Sequence, residues 1–211
     1  MARPDRNSKI LKILKKAYPQ ADCALVHENP FQLLVSTILS AQCTDKRVNL
    51  VTKTLYRKYS TPGDFASADL ADLEREIRST GFFRQKSRWI KAAREMLVRE
   101  FEGKVPKRME DLLKLPGVAR KTANVVLGTA YGVSAGVVVD THVKRIAKKL
   151  GLTRQTDPVK VEADLVRMLP RKDWIWFSHA VITHGRALCK AVKPLCPKCP
   201  LNRVCPSAEL S

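Results

Sequence analysis

Four cysteines, Cys189, Cys196, Cys199 and Cys205, stand in the spacing C-x6-C-x2-C-x5-C near the end of this chain. Packed this densely, they can close around one metal centre and pin the chain between them into a fixed loop. Thiolates suit zinc and iron–sulfur clusters alike. Zinc ribbons more often carry two C-x2-C pairs and only one is present here, but the spacing by itself leaves both metals open. Lys190 and Lys193 lie between the first two cysteines. A pinned loop that presents them outward would bind phosphate, and two solvated loop lysines would have the same sequence. His179 and His184 precede the cluster and are expected to be structural, because four thiolates complete a site. Cys23 and Cys43 lie far upstream in apolar segments and are expected to be small core residues.

The chain has 211 residues, with 39 Lys+Arg against 20 Asp+Glu, a formal net charge of +19. That length can bury a real core, and 45% hydrophobic residues with 28% charged exclude wholesale disorder. The charge points to a polyanionic partner, most often nucleic acid. It is not a tail: residues 23–135 carry net +7, and residues 1–22 with 136–211 carry net +12. Six basic residues interrupt residues 1–16, so no signal-peptide apolar region is read there. The longest uncharged stretch, 122–139, contains Gly128, Gly132 and Gly136 and suits a helix, a turn and an extended piece better than a membrane span. The expectation is a cytoplasmic protein, bound to no membrane, in a reducing compartment that disfavours disulfides.

Helical periodicity dominates. Ile10, Ile13, Leu14 and Ala17 share one face. Asn29-Pro30 and Asp157-Pro158 each read as an N-cap followed by proline at the first helical position, and Thr44 reads as another cap. Thr61-Pro62-Gly63 is a turn, and Gly81, Gly103 and Gly151 stop helices. Only Val137-Val138-Val139 resembles a strand, too short for a sheet. The predicted class is all-α, with roughly ten helices.

Leu115 to Ala123 reads as helix, tight turn, helix, with Gly117 free to take positive φ. Backbone N–H groups where the second helix starts, around Gly117, Val118 and Ala119, bind phosphate without reading sequence. Lys121 falls in the first turn of that helix, where the macrodipole opposes a cation. The same field, Arg120 beside it and partial desolvation would favour a neutral amine, a nucleophile able to form a Schiff base. It is also one basic residue among 39. Asp140 ends the apolar run Val137-Val138-Val139 and opens a helix. It serves as a plain N-cap, or as a carboxylate that stabilises an oxocarbenium-like sugar or moves protons; one residue can do both.

Taken together, Leu39-Ser40-Ala41-Gln42-Cys43-Thr44-Asp45, the segment Leu115 to Asn124, Val139-Asp140-Thr141-His142, His184-Gly185-Arg186 and the cysteine spacing resemble the endonuclease III family of DNA glycosylases, in the helix–hairpin–helix glycosylase superfamily. The resemblance spans nearly the whole chain. It implies a six-helix barrel domain over residues 23–135, with the helix–hairpin–helix near 108–130, and a discontinuous cluster domain of residues 1–22 and 136–211, with DNA in the cleft between. It implies a 4Fe-4S cluster on the four cysteines rather than zinc. It implies a monomer that acts on double-stranded DNA carrying oxidised pyrimidines or abasic sites, excising the base and nicking the strand by β-elimination. Lys121 would attack C1′ and Asp140 would support base departure and activate the lysine. The damaged nucleotide must be flipped out first, and the glutamine matching Gln42 would fill the gap.

Three residues depart from the family pattern. Ala119 replaces a second hairpin glycine where backbone nears phosphate. Phe82, after Gly81, stands where the family often places a leucine wedge, and a bulkier wedge could change opposite-base preference. Lys144 replaces a commonly apolar residue. Two rival functions fit part of the pattern. A monofunctional, adenine-type glycosylase usually lacks the lysine and commonly carries a further C-terminal domain, whereas this chain closes six residues after Cys205. A non-enzymatic DNA-binding module would share the charge and the hairpin, but would lose little on mutation of Lys121.

Overall fold

The computed structural model describes residues 3–59 and 61–209, with the side chains of residues 3, 4, 66 and 67 excepted. The described residues form eleven α-helices and three short 3-10 turns, with no strand, so the all-α class holds. No helix among them is long and apolar enough to cross a membrane. The chain divides into two compact units: a discontinuous one, Met1–Asp22 with Gly136–Ser211, and a continuous one, Cys23–Ala135.

The discontinuous unit begins with α1 (Arg3–Ala17). The continuous unit holds α2 (Pro30–Leu39), α3 (Asp45–Lys58), α4 (Asp64–Ser67), α5 (Leu70–Ile77), α6 (Phe83–Phe101), α7 (Met109–Leu112) and α8 (Arg120–Tyr131). Every residue of α2 from Phe31 to Leu39 is buried. A helix buried all round belongs at the centre of a bundle, and α2 packs against α3, α6 and α8, with Gln32, Ser36 and Thr37 as its buried polar residues. Its entry is set locally: the Asn29 side chain accepts the Gln32 N–H at 2.9 Å, with Pro30 next. Thr44 caps α3 in the same way. Gly132, at φ 65°, closes α8. The turn at Thr61-Pro62-Gly63 runs straight into α4, a single helical turn that the periodicity did not signal.

The discontinuous unit adds α9 (Thr141–Lys149), α10 (Pro158–Met168) and α11 (Trp174–Ala187) to α1. Ile10, Leu14, Val143, Ile146, Leu165 and Phe177 are central to its core. Val137 to Val139 is buried but is not a strand; the Val138 N–H is satisfied by the buried Ser178 hydroxyl on α11 at 2.9 Å. A side chain thus replaces a ladder partner. α11 comes close to α9 at Gly185, where an added Cβ would lie 2.8 Å from Ile146 and 2.9 Å from His142.

Two expectations need correction. Ala17 is exposed although it shares the face of Ile10 and Leu14, because it is the last residue of α1, beyond the buried part of that face. Cys23 and Cys43 are not core residues. Both are part-exposed and lie outside the helices, in the segments before α2 and after it, where apolar neighbours in sequence do not imply burial.

Candidate functional site

In the continuous unit the hairpin is built on a close approach. Gly117 has φ 78°, and a Cβ there would stand 2.9 Å from both Cβ and Cγ of Trp89 on α6. Leu115 and Val118 are buried on either side, and the Val118 N–H closes the turn on the Leu115 carbonyl at 3.1 Å. Gly117→Ala is therefore expected to destabilise the chain by about 1–3 kcal/mol through the left-handed backbone, with the Trp89 clash added. Thermal unfolding of the variant checks this.

Ala119 occupies the N-cap of α8 in extended conformation and supplies no side-chain cap, unlike Asn29, Thr44 and Asp157 on their own helices. The positive end of α8 is thus left to an acceptor from outside. Lys121, at its second residue, is exposed. The partial desolvation expected for its amine is not supplied by this protein's own side chains and would have to come from whatever covers that face.

Gln42 and Phe82 share an unusual backbone. Both have positive φ, 52° and 47°, and both are exposed, Phe82 at 65%. Left-handed backbone costs a non-glycine residue free energy and concentrates at functional sites. An exposed phenylalanine held this way at the start of α6 is not there for packing.

In the discontinuous unit Asp140 is the N-cap of α9, its Oδ1 accepting the Val143 N–H at 2.8 Å. The four cluster cysteines line one cavity with Leu188, Leu195 and His184. Burial pushes the Cys199 and Cys205 thiols up, against backbone hydrogen bonds at Leu201 and Ser207 that pull them down, and the neighbouring cysteines add to the rise, so several thiolates there need a cation among them. No three His, Cys, Asp or Glu side chains among the described residues converge as a single-ion site requires. All four cysteines line the same mainly apolar cavity.

The supporting contacts were not legible in the sequence. Arg145 donates to the Cys189 carbonyl and lies 3.8 Å from its sulfur. The buried His184 has Nε2 3.7 Å from Cys199 Sγ and Nδ1 2.9 Å from the Tyr18 hydroxyl. Burial, with Arg145 adding, holds its imidazole down at about 4, so it is neutral near pH 7. It lines the same cavity as the cysteines. Lys190 and Lys193 are exposed on the loop between Cys189 and Cys196, Lys193 with φ 52°. The Leu188 carbonyl closes the base of that loop by accepting from the Lys190 and Leu195 N–H groups, each at 3.0 Å.

The structure gathers Gln42, Phe82, Gly117, Val118, Ala119 and Lys121 in one unit, and Asp140, Lys190, Lys193 and the four cysteines in the other. Sequence reasoning missed Lys86. It is the one buried lysine or arginine among the described residues, and only its place four residues after Phe82 could have flagged it.

Comparison with known proteins gives a consistent answer. The profile of the HhH-GPD superfamily base excision DNA repair proteins matches residues 35–171. Endonuclease III of Synechocystis is 55% identical over 210 residues, covering 100% of this chain and 96% of that protein. A non-covalent endonuclease III–DNA complex is 46% identical with TM-score 0.93, covering 99% of this chain and 97% of the other. A trapped endonuclease III–DNA covalent intermediate, an estranged-adenine complex, is 45% identical with TM-score 0.93, covering 99% and 98%.

Proposed function

The chain belongs to the HhH-GPD superfamily of base excision DNA repair proteins and, within it, to the endonuclease III family, and from that premise we propose that Lys121 and Asp140 carry its glycosylase and abasic-site lyase chemistry on double-stranded DNA bearing oxidised pyrimidines. The observation that carries this reading is the exposed Lys121 amine in the first turn of α8, at a helix end with no capping side chain. That helix end, with no side chain of its own to cap it, attracts a phosphate. A DNA strand laid over it would remove water from the amine, leaving a nucleophile next to a sugar.

The steps balance as follows. The neutral Lys121 amine forms a bond to C1′ as the C1′–N bond breaks, and the electron pair leaves with the base, which takes up a proton. The C1′–O4′ bond then breaks, O4′ keeps the electron pair and takes up a proton, and the ring opens to an iminium. Loss of a proton from C2′ expels the 3′ phosphate, and water releases the lysine. Asp140, negative and fixed by the Val143 N–H, stabilises the positive charge that builds on the sugar and takes a proton from the amine. The target nucleotide leaves the stack for this to happen. Gln42 and Phe82 are exposed on left-handed backbone; Gln42 fills the gap and Phe82 wedges against the opposite strand. The hairpin N–H groups of Gly117 and Ala119, with Lys190 and Lys193, hold phosphates, whereas the Val118 N–H, expected to join them, is engaged by the Leu115 carbonyl.

Cys189, Cys196, Cys199 and Cys205 would hold a 4Fe-4S cluster, which supplies structural closure of the loop that bears Lys190 and Lys193. The shared apolar cavity fits that group. Cys199→Ala is expected to reduce bound iron and the visible absorption of the purified protein and to lower its Tm, since metal binding is coupled to folding. Iron analysis and thermal unfolding check it.

The reading is tested with a duplex carrying one oxidised pyrimidine. Release of the free base together with a nick ending in a 3′ unsaturated aldehyde is the expected result. Binding without base release would leave a docking protein, and base release without a nick would leave a monofunctional glycosylase.

A further inference from the structure

Lys86 lies in the first turn of α6 and is 1% exposed. Its ammonium donates to two carbonyls, Leu39 O and Thr80 O, each at 2.8 Å. A buried lysine is costly unless its protons are satisfied. Burial pulls this one down from the ordinary lysine range, with the Cys43 thiol acting in the opposite sense. Its two acceptors are at informative places. Leu39 is the last residue of α2, where carbonyls lack helical partners and the dipole is negative. Thr80 ends the 3-10 turn Arg78–Thr80.

Gln42 follows Leu39 by three residues, and Phe82 follows Thr80 by two. Both side chains are exposed on left-handed backbone, a conformation that Glu102 and Lys193 also take. The Lys86 backbone N–H also donates to the Phe82 carbonyl at 3.0 Å. One residue therefore holds the Phe82 turn from both sides and ties it to the chain that leads into Gln42. An apolar side chain could fill the volume, but it could not bond two carbonyls 41 positions apart in sequence.

We propose that Lys86 is a positioning residue for strand insertion, its buried ammonium fixing the spacing between the Gln42 and Phe82 turns so that both side chains enter the duplex together. This rests on the reading of Gln42 and Phe82 as insertion residues. Lys86 touches neither the reacting sugar nor the base. Its contribution belongs to displacing a paired nucleotide, not to the chemistry at C1′.

The test compares two substrates. In a duplex with a paired oxidised pyrimidine the strands must be separated. In a single strand with a preformed abasic site nothing is displaced. Lys86→Met is expected to slow base release from the duplex at least about tenfold, while borohydride capture on the single strand stays within about twofold. A 2-aminopurine opposite a tetrahydrofuran abasic analogue should lose the fluorescence rise that insertion produces. In a Gln42→Ala/Phe82→Ala background Lys86→Met should add nothing further. Equal loss on both substrates, or an unchanged ratio, would overturn the proposal. Should Lys86→Met fail to fold, Lys86→Arg, which keeps donors but spreads them over a larger planar head, is read by the same ratio with the same two outcomes. If Gln42→Ala/Phe82→Ala itself leaves the duplex-to-single-strand ratio at the parental value, the insertion reading fails, and that result is distinct from a failure of Lys86 alone.

Discussion

Lys121→Ala is expected to abolish covalent capture of an abasic site. With a duplex bearing one such site and borohydride present, the parent chain forms a reduced adduct, and the variant's adduct falls by about 10³-fold or more, the scale on which loss of a covalent nucleophile acts. The loss is separable from stability. Lys121 is exposed at the start of α8, so truncation leaves no cavity. It also removes a cation from the positive end of a helix, so the change in folding free energy should lie within about 0.5 kcal/mol of zero or favour the folded state. Binding to the same duplex at low salt should persist, because most of the +19 charge remains. An adduct that survives the substitution would move the nucleophile to another amine. Absence of an adduct in the parent chain would remove the lyase step.

Asp140 offers the second large effect, and the choice of substitution decides what is learned. Asparagine is as good an N-cap as aspartate, so Asp140→Asn should keep the bond to the Val143 N–H and leave α9 and the Tm nearly unchanged. It removes the charge, however, and base release is expected to fall by about 10²–10⁴-fold. Asp140→Ala should lose the activity as well, and about 1 kcal/mol of stability with the cap. Single-turnover base release and thermal unfolding of both variants check the pair. If Asp140→Asn keeps full activity, the residue is an N-cap and nothing more.

These two residues were legible as candidates because their signals are short. Lys121 stands out as a cation placed where a helix dipole opposes it, and Asp140 as an acid at the end of an apolar run. The helix entries at Asn29-Pro30, Thr44 and Asp157-Pro158 were legible for the same reason: a cap acts on N–H groups two or three residues away. The cysteine spacing named its ligand candidates before any coordinates. Other local readings went astray. Cys23 and Cys43 were expected in the core from their apolar neighbours, yet they sit in irregular segments where no periodicity fixes which way a side chain faces. Ala17 lies on the apolar stripe of α1, but periodicity does not say how far along a helix the core extends, and the last residue stays exposed.

The residue order by itself determined the helix starts, the hairpin at Gly117, the four thiols and the candidate nucleophile, since each depends on interactions within about one helical turn or on side-chain chemistry alone. Tertiary structure decided the rest. Lys86 is buried only because Leu39, 47 positions away, and Thr80 present carbonyls to its ammonium. His184 stands beside Cys199 rather than in solvent because α1 brings Tyr18, 166 positions away, to its ring. Gln42 and Phe82 hold left-handed backbones that their own side chains disfavour, so the packing around them must impose those conformations. Contacts across such separations leave no periodic trace in a single sequence.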